Sequence, residues 1–222
     1  MKASGWRRFE RSSDAYLAVT IALLILILLP ILIVNDPRGE SGMTAVLVGA
    51  AVTLTMAASQ VSRWAVHASW LAALLVLFSA FFEGLTNGLA ALGGIILAVM
   101  LLATPIVILR RVVKHKRVTA TTIYGAIAAY LAFGLAFSLM YSAIVRLNPV
   151  AFANMTSSGL GSTNYFSFVT MTTLGYGDIV PVAQLARALA IFQTLLGQIY
   201  LVIVVARVVS LLGKPPRLSD ST

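Results

Sequence analysis

Six apolar runs, each long enough as a helix to cross a hydrocarbon core of about 30 Å, dominate this chain and leave little room for a fold outside lipid. They are Ala15 to Val34, Met43 to Val61, Trp64 to Phe82, Leu85 to Leu109, Val118 to Val145 and Ala183 to Leu212. Inside a bilayer every backbone amide needs a partner within the protein, and a helix supplies it locally. The first run follows basic residues, but its length and the lack of a small-residue cleavage site predict a retained span, not a signal peptide. Composition agrees: 59% of the residues are hydrophobic and 10% charged, against about a quarter charged in soluble domains. Cysteine is absent, which excludes disulfides and thiolate metal sites.

A net charge of +9 would suit nucleic acid only if it gathered on a soluble domain. Instead it gathers at the ends of the apolar runs. With both termini cytoplasmic, Lys2, Arg7, Arg8, Arg11, Arg63, Arg110, Arg111, Lys114, Lys116, Arg117, Arg207, Lys214 and Arg217 lie inside, and Arg38, Arg146 and Arg187 outside. That bias predicts the orientation. The chain then divides into a basic tail (1–14), a four-span unit (15–117), a last two-span unit (118–213) and a short tail (214–222), with no soluble domain.

Between the fifth and sixth runs, Thr163 to Thr172 is apolar and aromatic but only ten residues long, about 15 Å as a helix. It is too short to cross and suits a segment that dips halfway in, capped by Ser162 or Thr163. Thr172-Thr173-Leu174-Gly175-Tyr176-Gly177-Asp178 follows directly. Gly175 and Gly177 can take backbone angles closed to other residues, so that successive carbonyls point the same way. Four copies around one axis would present rings of oxygens able to replace the water shell of K⁺, with the Thr173 hydroxyl adding a ring at the inner end.

The run Thr173-Leu174-Gly175-Tyr176-Gly177-Asp178 resembles the signature of the potassium channel family, and the segment from about Val118 to Leu212 resembles that family's outer helix, pore helix, filter and inner helix. The resemblance implies an all-α membrane protein of six transmembrane helices plus a re-entrant pore helix and filter loop, assembled as a four-fold homotetramer. It implies K⁺ held at Thr173, Leu174, Gly175 and Tyr176, with Gly177 completing the filter and the Leu174 side chain packed on the pore helix. Thr172 is expected behind the filter, and Asp178 is expected to be held from behind by a pore-helix partner. Some family members carry a carboxylate where this chain has Val169, so the partner left is Tyr165, which the family would use as a donor and the membrane as an interfacial anchor. Gly197 matches a hinge position and equally suits close packing. Gln198 and Thr194 are polar groups in apolar surroundings, which predicts that they face a cavity below the filter. Arg187 matches a basic position at the outer end of the inner helix, and Arg207 snorkels to the inner face.

The implied activity is passive, potassium-selective conduction in a plasma membrane, bacterial by the shortness of the chain, with no enzyme chemistry and no cofactor beyond K⁺. A weakly selective cation channel and a non-conducting scaffold subunit of another channel are the alternatives. Six spans with the pore last would place a voltage sensor in span four, yet Leu85 to Leu109 holds no Lys or Arg. Weak or absent voltage dependence follows, since one charge crossing 100 mV gains only about 2.3 kcal/mol. Span four instead carries Gly93-Gly94 with Ala90, Ala91 and Ala98, which suit close helix approach and a scaffold role. Arg63 and His67 suit either a proton-sensitive contact or plain hydration. Arg110, Arg111, Lys114, Lys116 and Arg117 suit either ordinary topology signalling or binding of anionic lipid. A separate cytoplasmic regulatory chain is compatible with this plan.

Overall fold

The computed structural model describes residue 17 and residues 19–32, 87–114, 120–155 and 158–212. The second and third predicted spans, Arg63, His67, Lys116 and Arg117 lie outside the described residues. Within them the regular secondary structure is helical apart from one two-residue strand pair. In chain order the elements are α1 (Val19–Leu32), α2 (Asn87–Lys114), α3 (Ala120–Leu147), β1 (Phe152–Ala153), α4 (Leu160–Met171), β2 (Val180–Pro181) and α5 (Gln184–Leu212). Among the described residues two helices are long and apolar enough to cross a membrane, over Ile123–Leu147 and Gln184–Arg207.

Small side chains set the packing of the first three helices. Ala98 on α2 and Ala128, Ala132 and Ala136 on α3 are wholly buried, with Leu97, Leu101 and Leu135 filling the space between. Alanines four apart lie on one helix face, which lets the backbones approach closely. Gly94 shows how closely: a Cβ there would lie 3.7 Å from the Leu139 carbonyl oxygen. Helix α2 is continuous through Arg110, Arg111 and Lys114, so these basic residues extend the fourth helix itself. Only residues 115–119 separate α2 from α3.

Helix α1 packs on the same cluster through Val19, Leu23, Leu26 and Ile27. Pro30 sits in α1 and has no N–H, so the carbonyl of Leu26, four residues back, loses its helical donor. Asn164 of α4 supplies one: its Nδ2 lies 3.3 Å from the carbonyls of both Leu26 and Ile27. Asn164 is fully buried, and its Oδ1 has no hydrogen-bond partner.

Helix α4 begins earlier than its sequence predicts. Gly159, extended at φ −66° and ψ 161°, is the N-cap, with no side-chain cap bond, where Ser162 or Thr163 was expected. The Thr163 hydroxyl is used elsewhere. It donates to the Gly159 carbonyl at 3.1 Å and accepts from the Ser138 hydroxyl at 2.9 Å, binding α4 to α3 within the buried core.

The two long spans differ in how they are covered. Two-thirds of the apolar window in α3 is buried inside the chain, but only 17% of that in α5. Leu195, Ile199, Val202 and Val205 are exposed, so α5 presents its apolar face outward from a single chain.

Candidate functional site

Residues 172–178 leave the C-terminal end of α4, and their placement follows from how that end is satisfied. The last four carbonyls of a helix have no partner within it. Here all four are taken. Phe168 accepts from Thr172, through both its N–H (2.9 Å) and its hydroxyl (2.7 Å). Val169 accepts from the amides of Leu174 (3.0 Å) and Gly175 (3.3 Å), and Thr170 from the amide of Thr173 (3.1 Å). Met171 accepts from Gln198 Nε2 at 3.3 Å.

These bonds turn the amides of 172–175 toward α4. Thr173, Gly175 and Gly177 have φ of 61°, 58° and 80°, whereas Leu174 and Tyr176 between them stay at negative φ. Alternating handedness of this kind gathers N–H groups on one side of a segment and so sends the carbonyls to the other. Among the described residues, the carbonyls of Thr173 through Gly177 accept no hydrogen bond. For the β-branched Thr173 a positive φ costs about 1–2 kcal/mol. Its amide bond to Thr170 and its hydroxyl bond to the Thr172 carbonyl (2.6 Å) hold it there. At Gly175 and Gly177 a Cβ would meet nothing within 4 Å, so the backbone angle alone calls for glycine.

Every side chain from Thr172 to Asp178 is exposed in the single chain. The Leu174 side chain, expected to pack on α4, is 56% exposed, because the amide and not the side chain makes the contact. Tyr165 Oη donates to Asp178 Oδ2 at 2.7 Å, and this bond holds the exposed carboxyl below its ordinary range. The Tyr165 ring also stacks on Tyr176, with centroids 6.4 Å apart and planes 4° from parallel. Asn154, itself at φ 61°, donates from Nδ2 to the Asp178 carbonyl at 3.0 Å. The β1–β2 pair, with Phe152 opposite Pro181, braces this end, and Arg187 Nε donates to the Pro181 carbonyl.

Helix α5 meets α4 at Gly197, where a Cβ would lie 2.9 Å from Met171 Cγ. The close-packing reading of this glycine thus has a definite contact behind it. Gln198 is half-buried with its amide spent on Met171, and the Thr194 hydroxyl lies 2.9 Å from the Ala190 carbonyl and 3.4 Å from that of Thr170. Three further residues escaped sequence reasoning. Gln193 is fully buried and bonds both Tyr141 and Ser167. Gly134 lies under the Phe168 ring, where a Cβ would stand 2.5 Å from Cζ. Met171, also fully buried, touches both glycines. A polar residue in an apolar run was the one signal available, and it pointed to Gln198 as readily as to Gln193.

Residues 118–214, somewhat under half of the chain, match the family described as ion channel. The voltage-gated potassium channel Kch of Escherichia coli (strain K12) is 36% identical to this chain over 92 residues, which cover 41% of this chain and 21% of Kch. The match thus spans about a fifth of the length of that relative. No solved structure gives a significant match. The matched segment contains α3, α4, α5 and the whole of 172–178.

Proposed function

We propose that the chain is a potassium-selective channel subunit in which the carbonyls of Thr173, Leu174, Gly175 and Tyr176 and the hydroxyl of Thr173 replace the hydration shell of K⁺, with Gly177 completing the row. The observation that carries this reading is the alternation of left-handed angles at Thr173, Gly175 and Gly177, with the amides of Leu174 and Gly175 directed to Val169 and the carbonyls left without partners. Once a ring of copies enclosed these carbonyls, leaving them without a partner would cost free energy, and a dehydrated cation is the ligand that carbonyl rings suit.

One chain supplies one row of oxygens, so the pore is a homotetramer on a four-fold axis. Support comes from the uncovered face of α5 and from the exposure of 172–178, both of which a ring of copies would enclose. Asp178, Tyr165 and Thr172 support the filter, and Thr194 and Gln198 stand where α5 passes beneath it. Conduction is passive and weakly dependent on voltage, with span four, free of Lys and Arg over Leu85 to Leu109, serving as scaffold. The protein is multi-pass in the plasma membrane with both termini cytoplasmic, and the positive charges of Arg110, Arg111, Lys114, Lys116 and Arg117 attract anionic lipid there. Reconstitution of the purified chain in liposomes tests this: K⁺ release above that of empty liposomes is expected, and release no faster than from empty liposomes refutes it.

A further inference from the structure

Resting on the channel reading, we propose that Gln193 is a positioning residue for the filter, fastening the inner helix α5 to the pore helix α4 so that movement of the one is felt by the other. Its side chain is fully buried and each end is bonded. Oε1 accepts from Tyr141 Oη at 2.7 Å. Nε2 donates to the Ser167 hydroxyl oxygen at 2.7 Å and lies 3.1 Å from the Ser167 carbonyl. The Ser167 hydroxyl in turn donates to the Gly134 carbonyl at 2.6 Å. One amide therefore joins α3, α4 and α5.

The register of the contact directs it at the filter. Gln193 and Gly197 are four apart and share a face of α5, while Ser167 and Met171 are four apart and share a face of α4. Gln193 meets Ser167 and Gly197 meets Met171, a two-point contact that brackets Val169 and Thr170. Those two carbonyls hold the amides of Thr173, Leu174 and Gly175. A tilt or rotation of α5 at this level must drag Ser167 or break the amide bonds. A methionine would fill the same space without the desolvation cost of a buried amide, so filling space alone does not account for glutamine here.

The test is the rate at which K⁺ current through the purified full chain in bilayers declines during sustained conduction, for Gln193→Met and Tyr141→Phe at low and high external K⁺. Loss of neutral buried bonds predicts a decline at least about fivefold faster in Gln193→Met and a smaller change in the same direction in Tyr141→Phe. Raising external K⁺ should slow both, because ions that bind only the conducting filter stabilise it by mass action. Wild type shares this linkage, so the readout is how far the excess of each variant's decline over wild type shrinks as K⁺ rises. Decline at the wild-type rate, or an excess indifferent to K⁺, overturns the proposal. If Gln193→Met fails to assemble, Tyr141→Phe, which keeps the ring packing, decides by the same criteria. Wild-type protein that carries no K⁺ overturns the channel reading itself.

Discussion

The Tyr165 hydroxyl donates to Asp178 Oδ2 at 2.7 Å, joining two residues thirteen positions apart while the same ring lies flat against Tyr176. Tyr165→Phe removes the bond and keeps the stack. This variant should still conduct but lose conduction severalfold faster during sustained activity, as read from the decay of K⁺ current. Unchanged decay would assign the tyrosine to interfacial anchoring.

Acidity should expose the same contact. The bond from Tyr165 lowers the Asp178 carboxyl from its ordinary value of 3.8. A depressed carboxylate contributes its contact above the ordinary range and loses it as pH falls through the lowered value. Current decay should therefore be flat as the outer solution is acidified through the ordinary carboxyl range and quicken only beneath it. In Tyr165→Phe, which lacks the bond, decay should already be fast at pH 7 and acid should add no quickening through this contact.

Backbone angle and available space separate cleanly at two glycines. Gly177 and Gly88 both have nothing within 4 Å of an added Cβ, but only Gly177 has a positive φ, of 80°. Gly177→Ala should cost about 1–2 kcal/mol per chain and abolish or greatly reduce K⁺ conduction. Gly88→Ala should leave it intact. Equal effects in a liposome flux assay would remove backbone conformation as the reason for the glycine.

Gly197 offers a choice between packing and bending that a second substitution resolves. Gly197→Ala drives a methyl to 2.9 Å from Met171 Cγ, and overpacking of this kind costs about 1–3 kcal/mol. Adding Met171→Ala clears the space. If the contact is what matters, Gly197→Ala costs less thermal stability and conduction in a Met171→Ala background than in wild type. An equal cost in both backgrounds would favour the hinge.

Much of this site could be read from the sequence, and what could not has physical reasons. The two long spans of the channel segment fall close to their expected ends, because length and polar flanks mark a lipid-spanning helix plainly. The glycines of 172–178 were legible because only glycine adopts positive φ without strain, whereas Thr173 adopts it against its own preference, through bonds to Thr170 and Thr172. The cap of α4 was not legible: the stretch from Ser158 to Thr163 offers several residues suited to it, and Thr163 was claimed by Ser138 on another helix. Gln193 was missed because α5 is apolar on all sides, so periodicity carries no information about which face meets α4. The bond from Asn164 to the carbonyl left free by Pro30 links residues 138 positions apart and has no local sign.

The reversal potential of the purified, reconstituted chain tests the central claim most directly, with K⁺ on one side of the bilayer and Na⁺ on the other. A filter of carbonyl rings should pass a current carried by K⁺ alone, with the reversal displaced strongly toward the K⁺ equilibrium potential. A reversal near zero, or no current at all, would contradict a filter built from the carbonyls of Thr173 to Tyr176.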